Sequence, residues 1–191
     1  MNDIDNQTFT DKQLLAQAKD FDQEALGTIY DKYSTALYRY AYRQVGNTQM
    51  AEDCVAETFT RFLNALQANK GPKKHLRAYL YRIAHNWISD QFRRGVQHTE
   101  PIDEREDLAD TSKKSVEKAV QTNIQSETVR KHLSSLTDQQ RQVVVLKHLE
   151  GMSNAEVAEI MEKNVGSVKA LNSRALNNLR KLMAAGEAAT V

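Results

Sequence analysis

Apolar residues return every three or four positions through most of the 191-residue chain, the period of helices that bury one face. This spacing predicts helices over 11–19, 22–45, 48–67, 74–94, 113–132, 138–149, 154–162 and 165–184. The only two prolines, Pro72 and Pro101, fall between these segments, where a missing backbone donor does no harm. The run VVVL at Val143–Leu146 has strand propensity, but the flanking QQRQ and KHLE carry the helical pattern through it. An all-α fold is expected.

Three segments have faces worth separating. In 48–67, Val55, Phe59, Phe62, Leu63 and Leu66 form the expected core side, and Asp53, Glu57 and Arg61 stack one turn apart on the other. In 74–94, Leu76, Leu80, Ile83 and Trp87 form the apolar stripe, while Tyr81, Arg82, His85, Ser89, Phe92 and Arg93 lie broadly opposite. In 165–184, Val165, Val168, Ala175, Leu176, Leu179 and Leu182 gather on one side. The other carries Ser167, Ala170, Ser173, Arg174, Asn177 and Lys181, with no acid among them.

Between Glu100 and Asp110 six acids (Glu100, Asp103, Glu104, Glu106, Asp107, Asp110) face the single base Arg105, with few apolar residues. That composition describes a solvated linker better than a core. The expected organisation is two small helical domains, 10–95 and 130–185, joined by an acidic linker over 96–129 that includes the start of a helix. One continuous bundle with a long acidic loop is the alternative.

The stretch EGMSNAEVAEIMEKNVGSVKAL supplies its own punctuation. Gly151 can end one helix, Ser153 with Glu156 forms a capping box for the next, and Asn164 is a good cap for the last. Three helices with tight turns make a crossing of the helix-turn-helix kind, whose second helix enters the major groove. A face of Ser, Ala, Asn, Arg and Lys suits that role: small residues permit close approach, arginine reaches guanine edges and lysine neutralises phosphate. A solvated face on an ordinary bundle helix would look similar.

Composition limits the classes of function. The formal net charge is +1, so nucleic-acid binding must rest on local patches rather than on bulk charge. One such patch lies in KGPKKHLRAYLYRIAHNWISDQFRR, where Lys70, Lys73, Lys74, Arg77, Arg82, Arg93 and Arg94 meet the single acid Asp90. Aromatic rings interleaved with bases on an open face suit single-stranded nucleic acid; packing of Tyr81 and Phe92 against a neighbouring helix is the competing reading. Cys54 stands alone, which excludes an internal disulfide, and His75, His85, His98, His132 and His148 are scattered, so no metal site is expected. No paired carboxylates, nucleophile motif or glycine-rich phosphate loop occurs at a usable spacing, so neither catalysis nor a cofactor is expected. No apolar run approaches a membrane span, and the start MNDIDNQ lacks the parts of a signal peptide, so a soluble cytoplasmic protein without membrane insertion is expected.

AEDCVAETFTRFLNAL, HLRAYLYRIAHNWISDQFRR and LSSLTDQQRQVVVLKHLEGMSNAEVAEIMEKNVGSVKALNSRAL, in this order, resemble the extracytoplasmic-function group of bacterial RNA polymerase sigma factors. The resemblance implies a sigma-2 bundle and a sigma-4 helix-turn-helix that recruit core RNA polymerase to promoters. It implies that Asp53, Glu57, Arg61 and Asn64 grip the β′ clamp helices, and that the β flap is a further contact. It implies that Asn69, Lys70, Lys73, Lys74, Arg77, Tyr81, Arg82, Asn86, Arg93 and Arg94 hold the unpaired strand of the minus-ten element, with an extruded base taken by the loop 67–74. Ser167, Lys169, Ala170, Ser173, Arg174 and Asn177 would read the minus-thirty-five element as duplex. An anti-sigma factor that masks both domains is also implied.

The chain departs from the family pattern in two places. The common recognition helix reads roughly VGTVKSRLHRAR, whereas Ala170 and Leu171 stand here for the Ser and Arg, and Ser173 for a larger residue. Glu162 occupies a turn position where glycine is usual, so a left-handed conformation there is costly. A free-standing helix-turn-helix regulator remains the competing reading. It leaves the basic aromatic segment Tyr79–Arg94 without a purpose.

Overall fold

The computed structural model describes residues 10–95 and 132–188, and their regular elements are all helical. The acidic linker and nearly all of the expected helix 113–132 lie outside the described residues. The N-terminal group comprises α1 (Asp11–Lys19), α2 (Gln23–Val45), α3 (Thr48–Gln67) and α4 (Leu76–Arg93). Local chemistry starts and stops these helices. Thr10 and Gln13 form a capping box on α1, the Asp22 side chain accepts from Ala25 N at 2.8 Å, and that of Asn47 accepts from Met50 N at 2.9 Å. Gly46, left-handed at φ 68°, ends α2 and lets the chain reverse into α3.

Ile29, Leu37 and Tyr40 of α2, Phe62 of α3 and Leu76, Leu80 and Ile88 of α4 are all at most 1% exposed and fill the centre of this group. Burial of each such side chain stabilises by roughly 1.5–3 kcal/mol. Cys54 belongs to this core rather than to the charged face of α3; it is 0% exposed and its thiol points at the Ala84 carbonyl oxygen, 3.8 Å away. Leu63, expected in the core, is 38% exposed.

The C-terminal group comprises α5 (Asp138–Val144), which widens into a π turn over Val145–Leu149, then α6 (Asn154–Ile160) and α7 (Val165–Ala188). Val143–Leu146 is thus helical, as its flanks indicate, but the hydrogen bonding slips by one residue: Glu150 N donates to Val145 O at 2.9 Å. Gly151 follows with φ 69°, and the Ser153–Glu156 capping box starts α6. Asn164 caps α7, its Oδ1 accepting from Ser167 N at 2.7 Å. Glu162 adopts φ 52° in the turn between α6 and α7, the left-handed geometry that a glycine takes freely. Val168 and Ala175 anchor α7 in the core, while Val165, expected beside them, is 40% exposed.

The two groups touch. Helix α4 packs against α6, the Gln142 side-chain amide donates to Ser89 Oγ at 3.2 Å, and the Arg141 guanidinium lies 5.6 Å from the centre of the Phe92 ring. This contact decides which part of α4 faces solvent.

Candidate nucleic-acid interface

The link from α3 to α4 is short and tightly bent. Asn69 and His75 both have φ 56°, and asparagine tolerates that geometry better than most residues because its short side chain can bond locally. A Cβ on Gly71 would sit 2.7 Å from Leu66 Cδ2, so glycine permits the close approach of this loop to the end of α3. Beside it opens a cleft of about 190 Å³ lined by Lys19, Leu66, Asn69, Gly71 and Lys73. Lys70, Lys73 and Lys74 are exposed on the loop, so the cleft has a cationic rim over an apolar floor at Leu66.

Helix α4 does not present its basic and aromatic residues as one face. Arg82, Asn86 and Arg93 remain on the open side, where the Arg82 guanidinium lies 5.2 Å from the centre of the Tyr79 ring and Arg93 pairs with Asp90 one turn back. Arg94 is exposed at the helix end. Arg77, Tyr81, His85, Ser89 and Phe92 turn instead toward the C-terminal group. Tyr81 is 0% and His85 7% exposed and Phe92 is half-buried over Arg141, so of the two readings of these rings the packed one holds and no open aromatic face is presented here. The Tyr81 hydroxyl donates to Glu150 Oε2 at 2.7 Å, and burial together with that carboxylate raises its pKa. His85 Nδ1 lies 3.5 Å from the Tyr40 hydroxyl; burial pushes the imidazole down to about 4, with Glu162 and Lys163 exerting opposite, smaller effects.

The face of α7 behaves as its pattern predicts. Ser167, Lys169, Ala170, Ser173, Arg174 and Asn177 are all exposed, and of these only Asn177 has its side chain engaged along the helix, accepting from Arg180 at 3.0 Å. On the opposite side His148 Nε2 meets Asn172 Oδ1 at 2.9 Å and Asn178 donates to Gln140 at 3.2 Å, which fixes α7 against α5. Contact with α4 is made chiefly through α6, and the polar face of α7 stays exposed.

On α3 the Arg61 guanidinium bonds Glu57 at 2.6 Å and Asp53 accepts from Gln49 at 3.0 Å, with Asn64 exposed beyond them. Tyr30 of α2, 50% exposed, leans on Phe59 with ring centres 4.8 Å apart. Together with exposed Leu63 it adds apolar area close to the charged ladder, the composition of a protein-binding surface rather than of a purely solvated one.

The sequence reading did not single out Lys19, Tyr30, Arg43 and Glu150 as site residues. Tyr30 and Lys19 had a usable signal in their polarity at the edges of amphipathic helices. Arg43 and Glu150 had none, because their pairing at 2.9 Å joins elements more than a hundred positions apart. Among the described residues no cluster of His, Cys, Asp or Glu could hold a metal ion, and no helix is long and apolar enough to cross a membrane. Burial pushes the Cys54 thiol up to about 12, so the thiolate that a nucleophile or metal ligand needs is suppressed.

Comparison with known proteins gives these surfaces a context. Residues 29–97 match the family described as Sigma-70 region 2, and residues 126–179 match Sigma-70, region 4. The chain is 32% identical to the ECF RNA polymerase sigma factor BldN of Streptomyces coelicolor over 90% of its own length, spanning 65% of that relative. It is 31% identical to the RNA polymerase sigma factor YlaC of Bacillus subtilis, over 84% of this chain and 93% of the relative. The sigma factor RpoE of Bartonella quintana, solved in complex with the anti-sigma factor NepR, superimposes with a TM-score of 0.60 at 26% identity. That match covers 86% of this chain and 97% of RpoE.

Proposed function

This chain belongs to the extracytoplasmic-function group of the sigma-70 family and is a promoter-specific transcription initiation factor; from that premise we propose how its surfaces divide the work. The domains run over 10–95 and 130–185. The first holds the unpaired minus-ten strand, and the second reads the minus-thirty-five duplex with α7. The observation that carries this division is the acid-free, unobstructed face of α7, set apart from a cationic cleft on a different helical group.

The cleft suits an extruded base. Lys19 and Lys73 supply charge for the neighbouring phosphates, Leu66 an apolar contact for the ring, and Asn69 a hydrogen-bonding edge. Such contacts offset the few kcal/mol of lost stacking. Arg82, Asn86, Arg93 and Arg94, on the open side of α4, would track the backbone beyond it. On α7, Arg174 and Lys169 provide base and phosphate contacts, while Ala170 and Ser173 let the helix sit deep in the groove. Asp53, Glu57, Arg61 and Asn64, flanked by Tyr30 and Leu63, form the surface for the β′ clamp helices. The chain supplies positioning and strand capture, and core polymerase supplies the catalysis, which places the protein in the cytoplasm. A regulatory anti-sigma protein is a further partner, supported by the RpoE relative having been solved with one.

Site-specific photocrosslinking within polymerase–promoter complexes tests the division. A probe at Asn69 should label the unpaired strand, and one at Arg174 the upstream duplex. Crosslinks of both probes to duplex alone would instead support the reading as a free-standing operator-binding regulator.

A further inference from the structure

Glu150 lies at the end of the π turn, with a side chain only 8% exposed, yet its partners belong to the N-terminal group. Arg43 Nη1 of α2 donates to Oε1 at 2.9 Å, and the Tyr81 hydroxyl of α4 donates to Oε2 at 2.7 Å. Arg77 Nη2 donates to the Glu150 backbone carbonyl, and its guanidinium lies 5.7 Å from the centre of the Tyr81 ring. Three donors from two helices thus converge on one acidic residue delivered from the other end of the chain.

The site has the chemistry of an oxyanion receptor. Two guanidinium groups and a phenol converge on the one carboxylate that reaches them, while Glu156, also in the field of Arg77, is held in the Ser153 capping box. The other N-terminal carboxylate in the field of Arg77 is Asp11, whose oxygens are already engaged by Lys32 at 2.7 Å and Tyr33 at 2.5 Å. It does not replace Glu150. A phosphodiester carries the same charge as a carboxylate and offers two non-bridging oxygens to the same donors. Arg77 also opens the helix that follows the cationic loop, so the receptor adjoins the path of the strand.

We propose that Arg43, Arg77 and Tyr81 form a phosphate-binding site for the unpaired promoter strand, and that Glu150 fills it as an internal stand-in until the two helical groups separate. The inference rests on the strand-holding role proposed above and adds Arg43 to it. It also explains the π turn: one extra residue in the last turn of α5 carries Glu150 beyond the helix end and aims it at α2 and α4. The closed arrangement occupies the strand site but leaves α7 open. A free chain is therefore deficient in strand binding, not in duplex binding.

Fluorescence anisotropy of the full-length protein without polymerase, against a labelled short mixed-sequence single-stranded DNA, tests this. Glu150→Gln should bind about tenfold more tightly than wild type, as expected when about nine molecules in ten are closed and the competent fraction limits affinity. Adding Arg43→Ala to Glu150→Gln should abolish the gain. Glu159→Gln, at an exposed position of α6, makes the same charge change away from the site and should give no gain. Unchanged affinity in both natively folded variants, Glu150→Gln and Glu150→Ala, overturns the inference. So does an equal gain in Glu159→Gln, or a gain that survives Arg43→Ala. Glu150→Ala, with the same expectation, covers the case in which the amide still bonds to Arg43. Initiation by wild-type holoenzyme, measured in parallel, separates the two levels: if it persists while the affinities stay flat, only the stand-in fails, and if it is absent, the strand-holding role fails with it.

Discussion

Acid should loosen this protein through His85. The ring is buried, 3.5 Å from the Tyr40 hydroxyl, beneath the turn that carries Glu162 and Lys163. Its pKa falls from an ordinary 6.5 to about 4, chiefly because burial removes the hydration a cationic imidazole needs. Between those values the unfolded chain binds a proton that the folded chain refuses. Stability from this residue is therefore complete above pH 6.5, declines as pH falls, and levels off below about 4. At about 1.36 kcal/mol per tenfold change in acidity, the difference amounts to about 3 kcal/mol. His85→Leu removes the titration while keeping an apolar side chain of similar reach. Urea unfolding of both proteins from pH 7.5 to pH 4, compared as a difference, isolates His85 from the acids that titrate in both. The wild type should lose about 3 kcal/mol more than the variant across that range. Parallel pH profiles would refute the assignment of a buried neutral histidine.

Four further outcomes follow from particular residues. Glu57→Lys should weaken association with core polymerase in a titration while changing folding stability by less than about 0.5 kcal/mol, because the exposed Glu57–Arg61 pair contributes little. Arg174→Ala should weaken promoter binding by about 1–3 kcal/mol and relax choice at one upstream base pair, read by binding to a promoter library. Glu162→Gly should raise stability in urea by about 0.5–1 kcal/mol, the relief of a left-handed non-glycine turn less the extra freedom of the unfolded chain. Gln44, 0% exposed with neither side-chain amide atom hydrogen-bonded, should gain about 1 kcal/mol as Gln44→Met, and no gain in thermal or urea midpoint would contradict the unpaired amide.

Much of the local structure was legible because its causes are local. With two prolines in the chain, a strict apolar period and caps such as Ser153 with Glu156, helix positions follow from neighbouring residues alone. The polar face of α7 was equally readable, since one side of that helix meets solvent and the other a core. Helix α4 was harder. It is buried on two sides, against α1–α3 and against α6, and a wheel drawn for one buried face places Tyr81 and His85 opposite the stripe without deciding between an open face and a second packing partner. The π turn escaped for a related reason: a one-residue slip in hydrogen bonding leaves no mark in the apolar period of Val143–Leu146. Leu63 and Val165 share the period of their cores yet lie at the edge, where the packing partner ends.

The most direct test of the central claim is transcription in vitro by core RNA polymerase with and without the purified chain, on a library of randomised templates sequenced at their initiation points. Two separated upstream motifs should emerge only when the chain is present, the nearer one lost with Lys70, Lys73 and Lys74 neutralised together and the farther one relaxed by Arg174→Ala. Specific initiation that never depends on the added, natively folded protein would contradict the account.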